Sequence, residues 1–116
     1  MSKKVKDPKR NERIASKVQS IVAEILRNKY ADDPILGTVS LSGSDAHGGL
    51  QFVRLFYHCH LGDADTVQRR LDVETKTIRY QMGQQLDQKY VPQIRFMYDD
   101  TLERAERIED ILASIK

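Results

Sequence analysis

Tryptophan is absent from the 116-residue sequence, and cysteine occurs once, as Cys59. A lone cysteine excludes an internal disulfide, and disulfide-free chains suit a reducing compartment. No stretch approaches the ~18 consecutive apolar residues that a bilayer helix needs, so a membrane-spanning protein is not expected. No apolar run follows Met1-Ser2-Lys3-Lys4, which makes a secretory leader unexpected and the cytoplasm the expected location. Three prolines, six glycines, no low-complexity tract and no internal repeat leave little room for a linker. The length suits a single domain over residues 1–116. Forty per cent hydrophobic residues exclude wholesale disorder.

What the sequence does have is segregated charge. Residues 1–29 carry nine basic groups against three acidic ones, whereas residues 30–68 carry one against five. The sign then reverses twice more, to six basic against three acidic over 69–98 and three against six over 99–116. The net charge of +2 hides this pattern. A basic end attracts polyanions whatever the total, although a solvated basic arm over residues 1–8 accounts for part of it equally well.

Asp7-Pro8 is a helix-start signal, because aspartate caps orphan N–H groups and proline fits the first turn. Ile14, Val18, Ile21, Val22, Ile25 and Leu26 then keep one apolar stripe, so a helix is predicted from about Pro8 to Asn28. Thr38–Ser42 alternates polar and apolar residues and reads as a strand, Gly43–Gly49 as turn chemistry, and Gln51–His60 as a second strand. In that second strand Val53, Leu55, Tyr57 and Cys59 suit a covered face. Phe52, Phe56 and Tyr98 are expected as core or partly covered sheet, with the last helix over some of them. Val67, Leu71, Ile78, Met82 and Leu86 keep a helical stripe interrupted at Glu74-Thr75, which predicts a kink between two shorter helices. Tyr90–Tyr98 is predicted as the third strand. Asp99-Asp100-Thr101 caps a last helix with the stripe Leu102, Ala105, Ile108, Ile111 and Ile115. The expected fold class is α+β: helix, strand, strand, helix–kink–helix, strand, helix, with helices on one face of a three-stranded sheet.

Chemistry-bearing groupings are scarce. His58-Cys59-His60 invites a metal reading, but alternation puts the two histidines and Cys59 on opposite faces of a strand, and only His47 remains as a fourth candidate ligand. Neither a metal nor another cofactor is expected. No nucleophile elbow, P-loop or catalytic carboxylate pair has recognisable spacing, so an enzyme is not expected.

Two cationic groups stand out instead. Lys9, Arg10, Arg13 and Lys17 extend the N-terminal arm along one face of the first helix. Arg69, Arg70, Lys76 and Arg79 cluster around the predicted kink. Phosphate contacts need cations with reach, and arginine adds a planar fork and a stacking surface.

The element order matches a type II KH-like domain, and particular residues narrow it further. Lys89-Tyr90-Val91-Pro92-Gln93-Ile94-Arg95-Phe96, followed by Asp99-Asp100-Thr101-Leu102-Glu103-Arg104 and then Arg107-Ile108-Glu109, resembles the C-terminal signature of bacterial ribosome-binding factor A. Ile78-Arg79 leading to Gly83 agrees with it, as do Arg13, Val18, Gln19 and Ala23-Glu24-Ile25-Leu26 in the first helix and the turn from Pro34 to Gly37. Two departures accompany the resemblance. The Gly-x-x-Gly loop of nucleic-acid-binding KH domains is missing, and the family's Ala-x-Gly kink falls on Glu74-Thr75-Lys76. No backbone phosphate clamp is expected at these positions.

The resemblance implies a factor, not an enzyme, that acts late in small-subunit maturation and assists rRNA processing. It implies that the partners are the free small ribosomal subunit and its rRNA, with no membrane partner and the protein a monomer. The eight cations named above are the candidate RNA contacts. A general KH-like RNA-binding module and a protein-interaction adaptor built on the acidic stretch or the last helix stay open as alternatives.

Overall fold

The computed structural model describes residues 8–60 and 63–115. Residues 1–7 of the basic arm, with Lys3, Lys4 and Lys6, lie outside the described residues.

Helix α1 spans Pro8–Lys29, and a 3-10 turn at Leu36–Thr38 leads into strand β1, Val39–His47. Strand β2 is Phe52–Cys59, helix α2 Ala64–Gln85, strand β3 Gln93–Tyr98 and helix α3 Thr101–Ile115. The sheet order is β1-β2-β3, antiparallel between β1 and β2 and parallel between β2 and β3. A parallel pair needs a crossover, which α2 supplies. This is the α+β, type II KH-like order that the sequence predicts.

The periodicities account for the core. All six stripe residues of α1 are buried, as are Val67, Leu71, Ile78 and Met82 of α2, Leu86 just after it, Val53, Leu55 and Tyr57 of β2, and Ile94 and Phe96 of β3. These form one cluster between the two helices and one face of the sheet. Tyr57, fully buried, satisfies its hydroxyl on Gln68 at 2.7 Å, and the Gln68 amide in turn donates to the Phe96 carbonyl at 2.9 Å. At Gly37 a Cβ would sit 2.9 Å from the Ala31 carbonyl oxygen, so the turn out of α1 closes only on glycine.

Three expectations are corrected. First, α2 is one uninterrupted helix of 22 residues, not two helices joined by a kink. The polar residues that look like an interruption are satisfied in place. Thr75 bonds back to the Leu71 carbonyl at 2.7 Å, and Glu74 accepts the Tyr30 hydroxyl at 2.6 Å. Second, β1 runs five residues beyond Ser42. A bulge between Leu41 and Gly43 absorbs the change of alternation, and the reversal is confined to residues 48–51, with Gly48, Gly49 and Leu50 at positive φ. Third, α3 forms but its apolar stripe is not buried, and it touches the sheet only near its start, where Glu103 accepts the Tyr98 hydroxyl. Every one of its residues is exposed, with Ile108 at 57% and Leu112 at 59%. Phe52 and Phe56 are therefore half-buried on an open sheet face and not in the core.

Candidate nucleic-acid interface

On a helix of period 3.6, Arg69, Val73, Lys76 and Tyr80 fall within about 60° of arc. All four are exposed in α2, Val73 at 73% and Tyr80 at 69%. The flanks of that stripe are occupied. Arg70 and Glu74 reach toward the α1 end of the molecule, while Gln68, Asp72 and Thr75 line a shallow cleft beside β3. The stripe between these flanks faces away from the sheet, and it presents two cations interleaved with an aliphatic and an aromatic side chain.

Arg10, Arg13 and Lys17 likewise share about 60° of α1, and with Lys9 they are exposed. On the opposite flank of α1, Glu12, Ser16 and Gln19 line a cleft with the end of β1. The cations therefore occupy the flank toward α2. The two helices run antiparallel, since Tyr30 meets Glu74 whereas Arg10 shares a cleft with Gln88 and Lys89. Both cationic groups thus belong to the helical side of the molecule, opposite the open sheet face.

Not every candidate arginine is on offer to a ligand. Arg70 grips Asp33 through both guanidinium Nη atoms, at 2.8 and 3.4 Å. The same Asp33 Oδ1 accepts the backbone N–H groups of Ile35 and Leu36 at 2.9 Å, so this pair orders the turn after α1. The Arg70 guanidinium, together with those two amides, holds the Asp33 carboxyl below its ordinary range. Arg79 donates to the carbonyls of Val91 and Pro92 at 2.8 and 3.0 Å, fixing the segment before β3 to α2. Neither role is visible in a charge count, because each depends on a partner far away in sequence.

The open sheet face is laid out differently. Arg54 pairs with Asp45 across the β1–β2 ladder at 2.8 and 2.5 Å, and its guanidinium lies 5.5 Å from the Phe56 ring centre. Arg95 covers Phe52 at 4.8 Å. Among the described residues no three His, Cys, Asp or Glu side chains are grouped to hold a metal ion. His58 faces Asp99 at 3.8 Å and His60 approaches Ser40 at 3.5 Å. No helix among the described residues is long and apolar enough to cross a membrane.

The family model described as ribosome-binding factor A matches residues 10–112, nearly the whole chain. The chain belongs to the ribosome-binding factor A family. Relatives in that family include the ribosome-binding factor A of Nitrosospira multiformis, 29% identical over 92% of this chain and 86% of the relative. The ribosome-binding factor A of Limosilactobacillus fermentum is 33% identical over 89% and 88%. The crystal structure of ribosome-binding factor A from Thermus thermophilus superposes with a TM-score of 0.66 at 10% identity, covering 76% of this chain and 94% of that one. A homology model of the Thermus factor, fitted into a cryo-EM map of its complex with the 30S subunit, gives 0.64 at 10% identity, covering 78% and 96%. At such identity the structural likeness carries the fold alone.

One pair of surface residues in this family member is not apparent from its periodicity. Lys89 precedes, and Tyr90 reads as the start of, the third strand, yet β3 begins only at Gln93, and Tyr90 is 79% exposed. The signal is Pro92: it lacks the N–H that a strand ladder needs, so the residues before it need not pair.

Proposed function

We propose that this protein binds the small ribosomal subunit through its rRNA, on the free subunit and not the translating ribosome, and assists late maturation and rRNA processing. It acts as a monomer in the cytoplasm by occupying and positioning RNA, and it catalyses no reaction. Family membership over residues 10–112, joined to an outward cationic stripe, is the observation that carries this reading. Arg69 and Lys76 meet phosphates from α2, and Lys9, Arg10, Arg13 and Lys17 do so from α1. Arg70 and Arg79 hold the scaffold that presents them. Tyr80, exposed beside Lys76, offers a ring on which a base can stack.

Co-sedimentation with purified small subunits tests the reading. The protein is expected in the subunit pellet at low salt and progressively in the supernatant as salt rises, because each neutralised phosphate releases counterions. A protein that stays in the supernatant at every salt concentration would sink the proposal. The exposed apolar residues of α3 favour a second reading as a protein adaptor. That reading predicts no RNA affinity above background and a protein partner recovered by pull-down in the presence of nuclease.

A further inference from the structure

Two clefts flank the tip of the β1–β2 hairpin, and their chemistry is opposite. One contains Glu12, Asp45 and His47 and no lysine or arginine among the described residues. The other, about 830 Å³, lies between the hairpin tip and the α2–β3 segment. It contains Arg10 and Lys89 and no carboxylate among the described residues. Its volume is in the range of small-ligand sites. Leu50, Phe52, Val91 and Pro92 give it an apolar floor, and Gln51, Gln88 and Gln93 bring three carboxamides, each able both to donate and to accept.

The walls are held before any ligand arrives. Arg79 binds the carbonyls of Val91 and Pro92, Gln93 N donates to Gln51 O at 2.9 Å, and Val91 packs where Gly83 has no side chain. A Cβ on Gly83 would come within 3.1 Å of Val91 Cγ2. At the rim Tyr90 stands 79% exposed, its ring 5.6 Å from Lys89 Nζ. Leu50 adopts φ +77°, a conformation that is uncommon for a bulky residue and concentrates at binding sites.

We propose that this cleft receives one unpaired nucleotide of an RNA strand, with Tyr90 against the base, the glutamine carboxamides at its edge, and Arg10 and Lys89 at its phosphates. The inference rests on the RNA-binding reading above and deepens it. The α2 stripe holds the backbone without regard to sequence, and the cleft selects a place where a base is free to leave the stack. The α2 stripe can stack a base on Tyr80 but encloses none, so by itself it does not make that distinction. An apolar floor with hydrogen-bonding edges and a stacking ring does.

The test uses the full chain and a dye-labelled RNA hairpin carrying one bulged nucleotide, compared by fluorescence anisotropy with the same hairpin fully paired. Wild type is expected to bind the bulged hairpin more tightly. Tyr90→Ala should weaken that binding by at least about fivefold, the low end of the range for one lost base stack, and leave the paired hairpin within about twofold. Tyr90→Phe should retain the preference. Tyr90 is exposed, so the fold should survive, which circular dichroism checks. Equal affinity of wild type and Tyr90→Ala for the bulged hairpin overturns the cleft assignment, and continued co-sedimentation with small subunits would show that the proposed function stands without it. A mononucleotide binding as tightly as the bulged hairpin would make this a free-nucleotide site and overturn the RNA assignment. Failure of wild type to bind either hairpin would overturn it as well.

Discussion

The phenol of Tyr30 donates a 2.6 Å hydrogen bond to Glu74 Oε1, tying the segment after α1 to the middle of α2. Burial, followed by this bond to a carboxylate, pushes the Tyr30 hydroxyl well above its ordinary range. Glu74 stands where the family resemblance places a kink, and there it joins two elements.

Tyr30→Phe should therefore cost about 1.5–3 kcal/mol of stability, the usual range for one hydrogen bond to a charged acceptor. Glu74→Gln should cost less, because a carboxamide oxygen still accepts. Urea denaturation of both single variants and of the double variant measures the coupling. Additive losses would show that the carboxylate holds the Tyr30 hydroxyl no better than a carboxamide does, and an unchanged midpoint in Tyr30→Phe would show that the bond contributes nothing.

Acid should destabilise the protein through two carboxylates. Hydrogen bonds from Thr101 and Ser42 hold Asp99 down at about 2, and Arg70 holds Asp33 below its usual value. A carboxyl whose folded pKa is depressed stabilises the fold above its unfolded pKa and loses that contribution as pH falls through the folded one. For Asp99 the window runs from 3.8 down to about 2. The urea midpoint should drop across it in wild type and less steeply in Asp99→Asn. Parallel curves would contradict the assignment.

Substituting Arg69→Glu together with Lys76→Glu should lower affinity for small subunits and flatten the dependence of log affinity on log salt, by roughly 0.7–0.9 for each phosphate no longer neutralised. Stability should change by less than about 0.5 kcal/mol, since both residues are exposed. Arg79→Ala should show the reverse emphasis, with a clear loss of stability from two unpaired carbonyls. An unchanged salt slope in the double variant would remove α2 from the interface.

Leu112→Ser and Leu71→Ala should behave very differently. Leu71 is fully buried, and its truncation should cost about 2–5 kcal/mol. Leu112 is 59% exposed on a helix with no buried residue, so its substitution should leave the urea midpoint almost unmoved. A large loss at Leu112 would mean that α3 docks against the domain in solution.

Much of this was legible in the residues themselves. Stripes at 3.6 spacing in α1 and α2 and alternation in β2 are local signals, and burying such a stripe is the dominant favourable contribution to folding, so Ile14, Val18, Leu71 and Tyr57 lie where periodicity puts them. The strand–acid–helix run from Tyr90 to Ile108 sufficed for the family. Other features needed the fold. Whether Glu74-Thr75 breaks a helix depended on Tyr30, 44 residues away. The α3 stripe resembles that of α1, yet none of it is buried. Arg69, Arg70, Lys76 and Arg79 are alike as charges, but Asp33 and two carbonyls before β3 turn Arg70 and Arg79 inward. Periodicity is carried by neighbours along the chain, whereas a charge acquires its role from whatever stands within about 3 Å of it, and only the packed chain brings those atoms together.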